Sequence, residues 1–157
     1  MAQLTADISR KYKLNPDIRG ELPVAASSTI FMGAAVGLAS GFARQLVAGD
    51  AFSGFAAGGP VVNVANAERP GLTGNAGIAI GTAGGLTIEL RTEGIIEVPI
   101  AAVAGLTDTT SVGVAVYASD SNTFTLTSTS NSKIGTVNWV LNGVVGVYFT
   151  ASQNKVA

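Results

Sequence analysis

Hydrophobic and polar positions alternate along much of the chain, and the clearest alternation runs from Leu86 to Ile100. The even-numbered positions there are mostly leucine, isoleucine or valine, whereas the odd-numbered ones include threonine, arginine and three glutamates. A period of two places successive side chains on opposite faces, so this segment is predicted to be a strand with one buried face. Gly94 interrupts the pattern midway, where a bend or bulge would let the strand turn a barrel corner.

Turn signals separate further short apolar segments. Asn142-Gly143 lies between 134–141 and 144–150, and Asn-Gly suits the positive φ that a type I′ hairpin turn needs. We expect this hairpin to close the core, and we expect Trp139 and Tyr148 to be mostly buried. Trp139 is expected to lie in the core or in a subunit contact. Short strands at such spacing, without an amphipathic helix between them, predict an all-β fold, a small β-barrel or β-sandwich. The other predicted strands lie at 34–38, 42–46, 52–57, 112–116 and 123–127, with turns at 39–41, 48–50 and 119–122.

Charge is concentrated at the start of the chain. Residues 1–21 hold seven of the 19 charged residues (nine basic plus ten acidic) and no sustained apolar period. We therefore predict an extended N-terminal arm at 1–21 and a single β domain at 22–157, which carries a glycine-rich insertion at 58–85. With no apolar stripe to hold the arm on the barrel, we expect its deletion to leave the stability of the β domain unchanged.

The composition points to surfaces buried against other protein copies. Hydrophobic residues make up 47% of the chain and charged residues 12%, with a net charge of −1, whereas about 25% charged is usual. Such a balance argues against a nucleic-acid partner. Residues 22–43 carry no charge and are long enough to span a bilayer, but Pro23, three glycines and several hydroxyl residues make a membrane partner the weaker interpretation.

The residues needed for common enzyme chemistry are missing. The chain has no cysteine and no histidine, which excludes disulfides, thiolate or histidine zinc sites and the Ser-His-Asp triad. Glu89, Glu93 and Glu97 share a strand face. At ~3.3 Å per residue, successive glutamates on this face are about 13 Å apart. Unless a bulge intervenes, this distance is too long for the two catalytic carboxylates of a glycosidase. The glycines at 71–85 match no phosphate-binding motif, and Ser119–Asn122 offers a single carboxylate, a poor calcium loop. We expect no enzyme activity, cofactor or metal.

Several segments resemble the capsid cement (head decoration) proteins of tailed bacteriophages. The resemblance covers roughly residues 22–150, and its most specific part is Tyr117-Ala118-Ser119-Asp120. The glycine-rich insertion is longer than expected for the family, and residues 1–21 lie outside the resemblance. The segments that carry it are Gly33–Leu38, Gly41–Arg44, Leu46–Phe55, Arg91–Pro99, Val116–Leu126 and Ile134–Val137.

This resemblance implies a structural virion protein, made in the host cytoplasm, that sits on the outer surface of the capsid. It implies binding to the major capsid protein, stabilisation of the expanded lattice, and assembly with neighbouring copies as a homotrimer. The alternative is a receptor- or glycan-binding tail or fibre module of a virion, which clustered aromatic residues in exposed loops would favour. We expect the arm to add to a strand edge of the capsid protein or an adjacent copy, through Leu4, Ile8, Arg10, Lys11, Tyr12, Lys13, Leu14 and Arg19.

Overall fold

The computed structural model of the chain describes residues 3–12, 18–65, 81–107 and 112–151. Its regular structure is almost wholly β, which confirms the predicted all-β class. Within the described ranges the helical structure is one 3₁₀ turn at Ile100–Ala102. The strands are β1 (Lys11–Tyr12), β2 (Ile18–Pro23), β3 (Ser28–Ile30), β4 (Ala35–Ala39), β5 (Phe42–Gln45), β6 (Ala51–Ala56), β7 (Val61–Asn63), β8 (Thr87–Pro99), β9 (Val103–Ala104), β10 (Ala115–Ala118), β11 (Phe124–Thr125), β12 (Ser132–Leu141) and β13 (Val144–Thr150).

Most strands form one large sheet that curls like half a barrel. Its strand order is β5-β4-β6-β8-β13-β12-β10-β11-β9, and β1 and β2 also pair with β8. The strand pairs are antiparallel, apart from β9 with β11. β3 and β7 form a second, two-stranded antiparallel sheet. Because the large sheet curls, one of its faces encloses the apolar core.

Strand β8 is the longest strand and alternates as predicted. Buried and more exposed positions follow each other from Thr87 to Pro99 without a break. The strand changes partner close to Gly94: β2 pairs with residues 87–93, and β13 pairs with residues 93–99. One strand therefore connects two parts of the core.

The buried side chains form two clusters. The first contains four phenylalanines, and the ring centroid of Phe55 lies 4.9 Å from that of Phe149 and 5.4 Å from that of Phe52, all edge to face. Such pairs each add about 0.5–1.5 kcal/mol beyond their area burial. The second cluster is aliphatic and includes Ile30 and Leu90. It also includes Leu4, from the segment predicted to be an arm.

The predicted two-residue turn at Asn142-Gly143 is confirmed, and the turn predicted at 39–41 is shortened to two residues because Ala39 pairs with Phe42. Asn142 and Gly143 have φ of 52° and 73° between the paired residues Leu141 and Val144. Ser40 and Gly41 have φ of 52° and 84° between β4 and β5. Positive φ at both central positions defines a type I′ turn, which matches the twist of the flanking strands.

Two segments differ from their predictions. The strand predicted at 112–116 begins at Ala115, because Gly113 adopts φ +92° in a turn and leaves Val112 68% exposed. Within the predicted insertion 58–85, residues Val61–Asn63 form β7 of the small sheet, and residues 66–80 lie outside the described residues. The amide of Asn63 donates to three carbonyls, including that of Thr82, and its Oδ1 accepts from the N–H of Gly81. Asn63 therefore holds the two flanks of residues 66–80 together.

Candidate functional site

The carboxylates of β8 lie on its outer face and are spread along the strand. Glu89 is exposed, and Glu93 and Glu97 are half-buried. The hydroxyl of Tyr148 donates to Oε1 of Glu93 at 2.6 Å, and this hydrogen bond, followed by burial and the nearby negative charge, raises the pKa of Tyr148 above its ordinary value. Among the described residues, no group of three or more acidic side chains could hold a metal ion.

The described part of residues 1–21 lies on the β domain rather than apart from it. Leu4 is 7% exposed within the aliphatic cluster. Its N–H donates to Oγ of Ser121 at 3.0 Å, and its carbonyl accepts from Nε2 of Gln45 at 3.1 Å. Ser121 in turn donates to Oε1 of Gln45 at 2.7 Å. Two side chains remote in sequence thus satisfy both main-chain polar groups of Leu4, as in recognition of an extended peptide.

The same segment continues along the loop before β4. The N–H of Ile8 donates to the carbonyl of Met32 at 3.0 Å, and the N–H of Met32 donates to Oδ1 of Asp7 at 2.7 Å. The side chain of Ile8 packs against the aliphatic cluster. Apolar contact and hydrogen bonds of main-chain groups therefore hold residues 4–8 against the domain.

Arg10 is the most buried of the described cations of this segment. Its Nε donates to the carbonyl of Gly33, and its Nη2 donates to Oδ1 of Asn122 at 3.0 Å. The guanidinium carbon lies 5.6 Å from the ring centroids of both Phe55 and Phe124, within cation–π range. Burial lowers the pKa of Arg10 to about 10, so the side chain still carries its charge at neutral pH.

The other predicted contact residues lie further along the segment. Lys11 is exposed in β1, opposite Glu97. Tyr12 is half-buried and packs against the cluster that contains the four phenylalanines, with its ring centroid 6.1 Å from that of Phe149. Arg19 of β2 lies opposite Arg91 in the backbone register between β2 and β8. Lys13 and Leu14 lie outside the described residues. The structure thus brings Leu4, Ile8, Arg10 and Tyr12 onto their own domain, while their contact with a second protein stays a prediction.

The end of the β12–β13 hairpin presents an apolar surface that we name the hairpin patch, made of Trp139, Leu141 and Val144. Leu141 is 64% exposed, and the patch borders a surface hollow of about 440 Å³ together with Glu97 and Asn142. Trp139 and Tyr148 are half-buried and belong to neither cluster, contrary to the expectation of mostly buried core residues. A subunit contact for Trp139 remains a prediction.

A register shift explains the position of Trp139. Val137 pairs with Val147, but Trp139 pairs with Gly146, so one extra residue stands on β12 between them. A bulge of this kind turns the following side chain to the opposite face. The indole lies over Gly146, where a Cβ would overlap the ring. Trp139 consequently faces outward and is half-buried rather than mostly buried.

Sequence reasoning did not find the partners of the N-terminal segment. Ser121 and Asn122 were interpreted as turn residues, and that turn is confirmed, since Oδ1 of Asp120 accepts from the N–H groups of Asn122 and Thr123, each at 2.8 Å. Gln45 had no assigned role. The sequence showed only that Gln45 is an uncharged polar residue at the end of a predicted strand. This position does not indicate which residue its side chain binds.

Comparison with known proteins gives one similar structure. No protein-family model matches the sequence, and neither does any curated protein. A chain of the capsid of Myoviridae phage XM1 is similar in structure, with a TM-score of 0.47 and 14% sequence identity over 97% of this chain and 96% of that chain. This similarity does not establish a family. None of the helical structure in residues 3–12, 18–65, 81–107 and 112–151 is long and apolar enough to cross a membrane.

Proposed function

We propose that the protein is a structural virion protein that binds the outer surface of a tailed-bacteriophage capsid and stabilises the expanded lattice of the major capsid protein. It acts without catalysis. A protein that binds the expanded lattice and not its precursor stabilises that lattice by its binding free energy. Many copies on one shell would make weak individual contacts effective.

The observation that carries this proposal is the sequence resemblance to capsid cement proteins, together with the structural role of its most specific segment. This segment, Tyr117–Asp120, forms the end of β10 and the start of the turn that Asp120 caps. Ser121 and Asn122 in this turn bind Leu4 and Arg10 of the N-terminal segment. The most specific part of the resemblance thus leads directly into a turn that binds the N-terminal segment.

We further propose that the protein assembles as a homotrimer and that the hairpin patch contacts the neighbouring copy. Cyclic closure would cover apolar surface on every copy without leaving an open, filament-forming end. The large apolar side chains that are exposed among the described residues are Val64, Val112 and Leu141. They are aliphatic, which suits a protein contact; the hairpin patch adds the half-buried aromatic ring of Trp139 beside Leu141.

The N-terminal segment is the proposed contact with the major capsid protein or an adjacent copy. Lys11 is exposed, so its side chain is available at the surface, and Lys13, Leu14 and Arg19 follow in the sequence. Leu4 and Arg10 are engaged within the chain. In this proposal they support the contact indirectly, because they hold the segment on the surface of the domain.

Binding to purified shells tests the proposal. The full chain would be mixed with precursor shells and with expanded shells, and bound protein measured after sedimentation. We expect saturable binding to expanded shells, negligible binding to precursor shells, and a higher temperature of DNA release from coated particles. Binding to host cells rather than to either shell would instead support the receptor-binding alternative.

A further inference from the structure

The turn at the end of the β12–β13 hairpin presents an asparagine amide next to an open stretch of backbone. Asn142 and Gly143 are both exposed, and they form the one Asn-Gly pair in the sequence. A Cβ built on Gly143 would meet no atom within 4 Å. Nothing therefore crowds the side chain of Asn142 or the peptide bond that follows it.

Hydrogen bonds restrain three other asparagines of the described ranges. Nδ2 of Asn63 donates to three carbonyls, and Nδ2 of Asn131 donates to one at 3.0 Å. Oδ1 of Asn122 accepts from Arg10. The amide of Asn142 has no such restraint among the residues that the structure describes. It is thus both exposed and free to turn toward the nitrogen of Gly143.

We propose that Asn142-Gly143 is a deamidation site, at which the neutral amide of Asn142 becomes a carboxylate. The backbone nitrogen of Gly143 gives its proton to hydroxide and attacks Cγ of Asn142. A new N–Cγ bond closes a succinimide ring, and the Cγ–Nδ2 bond breaks with release of ammonia, which takes its last proton from water. Water then opens the ring at either carbonyl and leaves aspartate or isoaspartate at position 142.

The glycine and the place of the turn both favour this reaction. Glycine has no Cβ to hinder the approach of its nitrogen. The carbonyl of Gly143 accepts from the N–H of Ile100 at 2.8 Å, and Leu141 pairs with Val144, so the ring closes while this end of the hairpin is open. Opening of an exposed loop tip costs less free energy than opening of the core strands.

The product adds a negative charge to the hairpin patch. Asn142 borders the same surface hollow as Glu97, Trp139 and Leu141. A carboxyl group at position 142 is ionised at neutral pH, because the ordinary pKa of aspartate is about 3.9. Burial of this carboxylate against a neighbouring copy would cost free energy, so a deamidated copy cannot use the hairpin patch for assembly. This effect on assembly rests on the proposed homotrimer, whereas the reaction itself does not.

Peptide mapping by mass spectrometry tests the reaction on the full chain stored at mildly alkaline pH. We expect aspartate and isoaspartate to accumulate at position 142 at a rate that rises with hydroxide concentration, because the attacking nitrogen must lose its proton. Asn138 is the internal control, since it is exposed on the same hairpin but precedes Trp139 and should keep its amide. The proposal is overturned if position 142 keeps its amide or if Asn138 is converted equally fast.

The effect on assembly is tested with Asn142→Asp and Asn142→Gly. Asp-Gly and Gly-Gly both suit a type I′ turn, so the two variants differ chiefly in the charge at the end of the hairpin. Light scattering should give a trimer for the parent and for Asn142→Gly, and a monomer for Asn142→Asp. A trimer of Asn142→Asp would overturn the effect on assembly. Monomers of all three chains would contradict the homotrimer and this effect with it, while the peptide map still decides the reaction.

Discussion

Replacement of Leu4 by alanine tests whether the N-terminal segment is docked on the domain in solution. Leu4 is 7% exposed and packs in the aliphatic cluster with residues that include Ile30 and Leu90. Truncation of a buried leucine costs about 2–5 kcal/mol, most where the surroundings cannot collapse into the space. Because this leucine lies near a chain end that can readjust, we expect the lower part of that range, about 2–3 kcal/mol.

The loss should be visible in equilibrium unfolding. For a chain of this size, 1 kcal/mol corresponds to roughly 2–4 °C in Tm, so Leu4→Ala should melt about 4–12 °C below the parent. Thr5→Ala is the matched control, because the neighbouring Thr5 is exposed and its truncation should change Tm by less than about 2 °C. Urea unfolding with an unchanged m value would show that stability, and not the unfolded state, has changed.

Amide hydrogen exchange gives an independent readout. The N–H groups of Leu4 and Ile8 are bound to Ser121 and Met32, so they should exchange slowly in the parent and faster in Leu4→Ala. The reasoning is refuted if Leu4→Ala and Thr5→Ala have the same Tm while both amides exchange at unprotected rates in the parent. The segment would then be a detached arm, as the sequence alone suggested.

Three further predictions concern other parts of the chain. Because the pKa of Tyr148 is raised in the folded state, its protonated hydroxyl stabilises the fold below pH 10, and this contribution is lost as pH rises through the folded-state pKa. In urea titrations at alkaline pH, the free energy of unfolding should therefore fall less with pH in Tyr148→Phe than in the parent, and an equal fall would exclude this role. Leu141→Asp should leave Tm nearly unchanged but reduce the molar mass from trimer to monomer in light scattering; an unchanged trimer would remove the hairpin patch from the interface. Asn63→Ala should cost about 1–3 kcal/mol, because three carbonyls, the one of Val24 in a buried hydrogen bond, lose their donor; a change below about 0.5 kcal/mol in denaturant unfolding would show that these hydrogen bonds of Asn63 do not stabilise the fold.

The parts of the fold that depend on neighbouring residues could be predicted from the sequence. The alternation of β8 and the turns at Ser40-Gly41 and Asn142-Gly143 each depend on conformational preferences within a few residues. Gly113 shows the limit of this reasoning. The alternating valines continued through it, but its positive φ ended the pattern and exposed Val112.

The candidate sites depended on contacts that no local pattern encodes. Leu4 and Ser121 are 117 positions apart, and Arg10 and Asn122 are 112 apart. Three apolar or aromatic side chains of residues 4–12 pack on the domain: Leu4 and Ile8 with the aliphatic cluster, and Tyr12 with the cluster of phenylalanines. No sustained apolar period in residues 1–21 pointed to these contacts. Trp139 was misplaced for another reason: an extra residue on β12 reverses its face, and the sequence around Asn138 does not mark the bulge.

The central claim is that the protein coats the outside of a capsid in many regularly placed copies. Its most direct test is the molar ratio of this protein to the major capsid protein in purified, DNA-filled particles, measured by quantitative mass spectrometry. The account predicts a fixed ratio close to one copy per capsid-protein copy or a simple fraction of it, unchanged between preparations and lost from unexpanded shells. A few copies per particle, or a ratio that varies with purification, would contradict it.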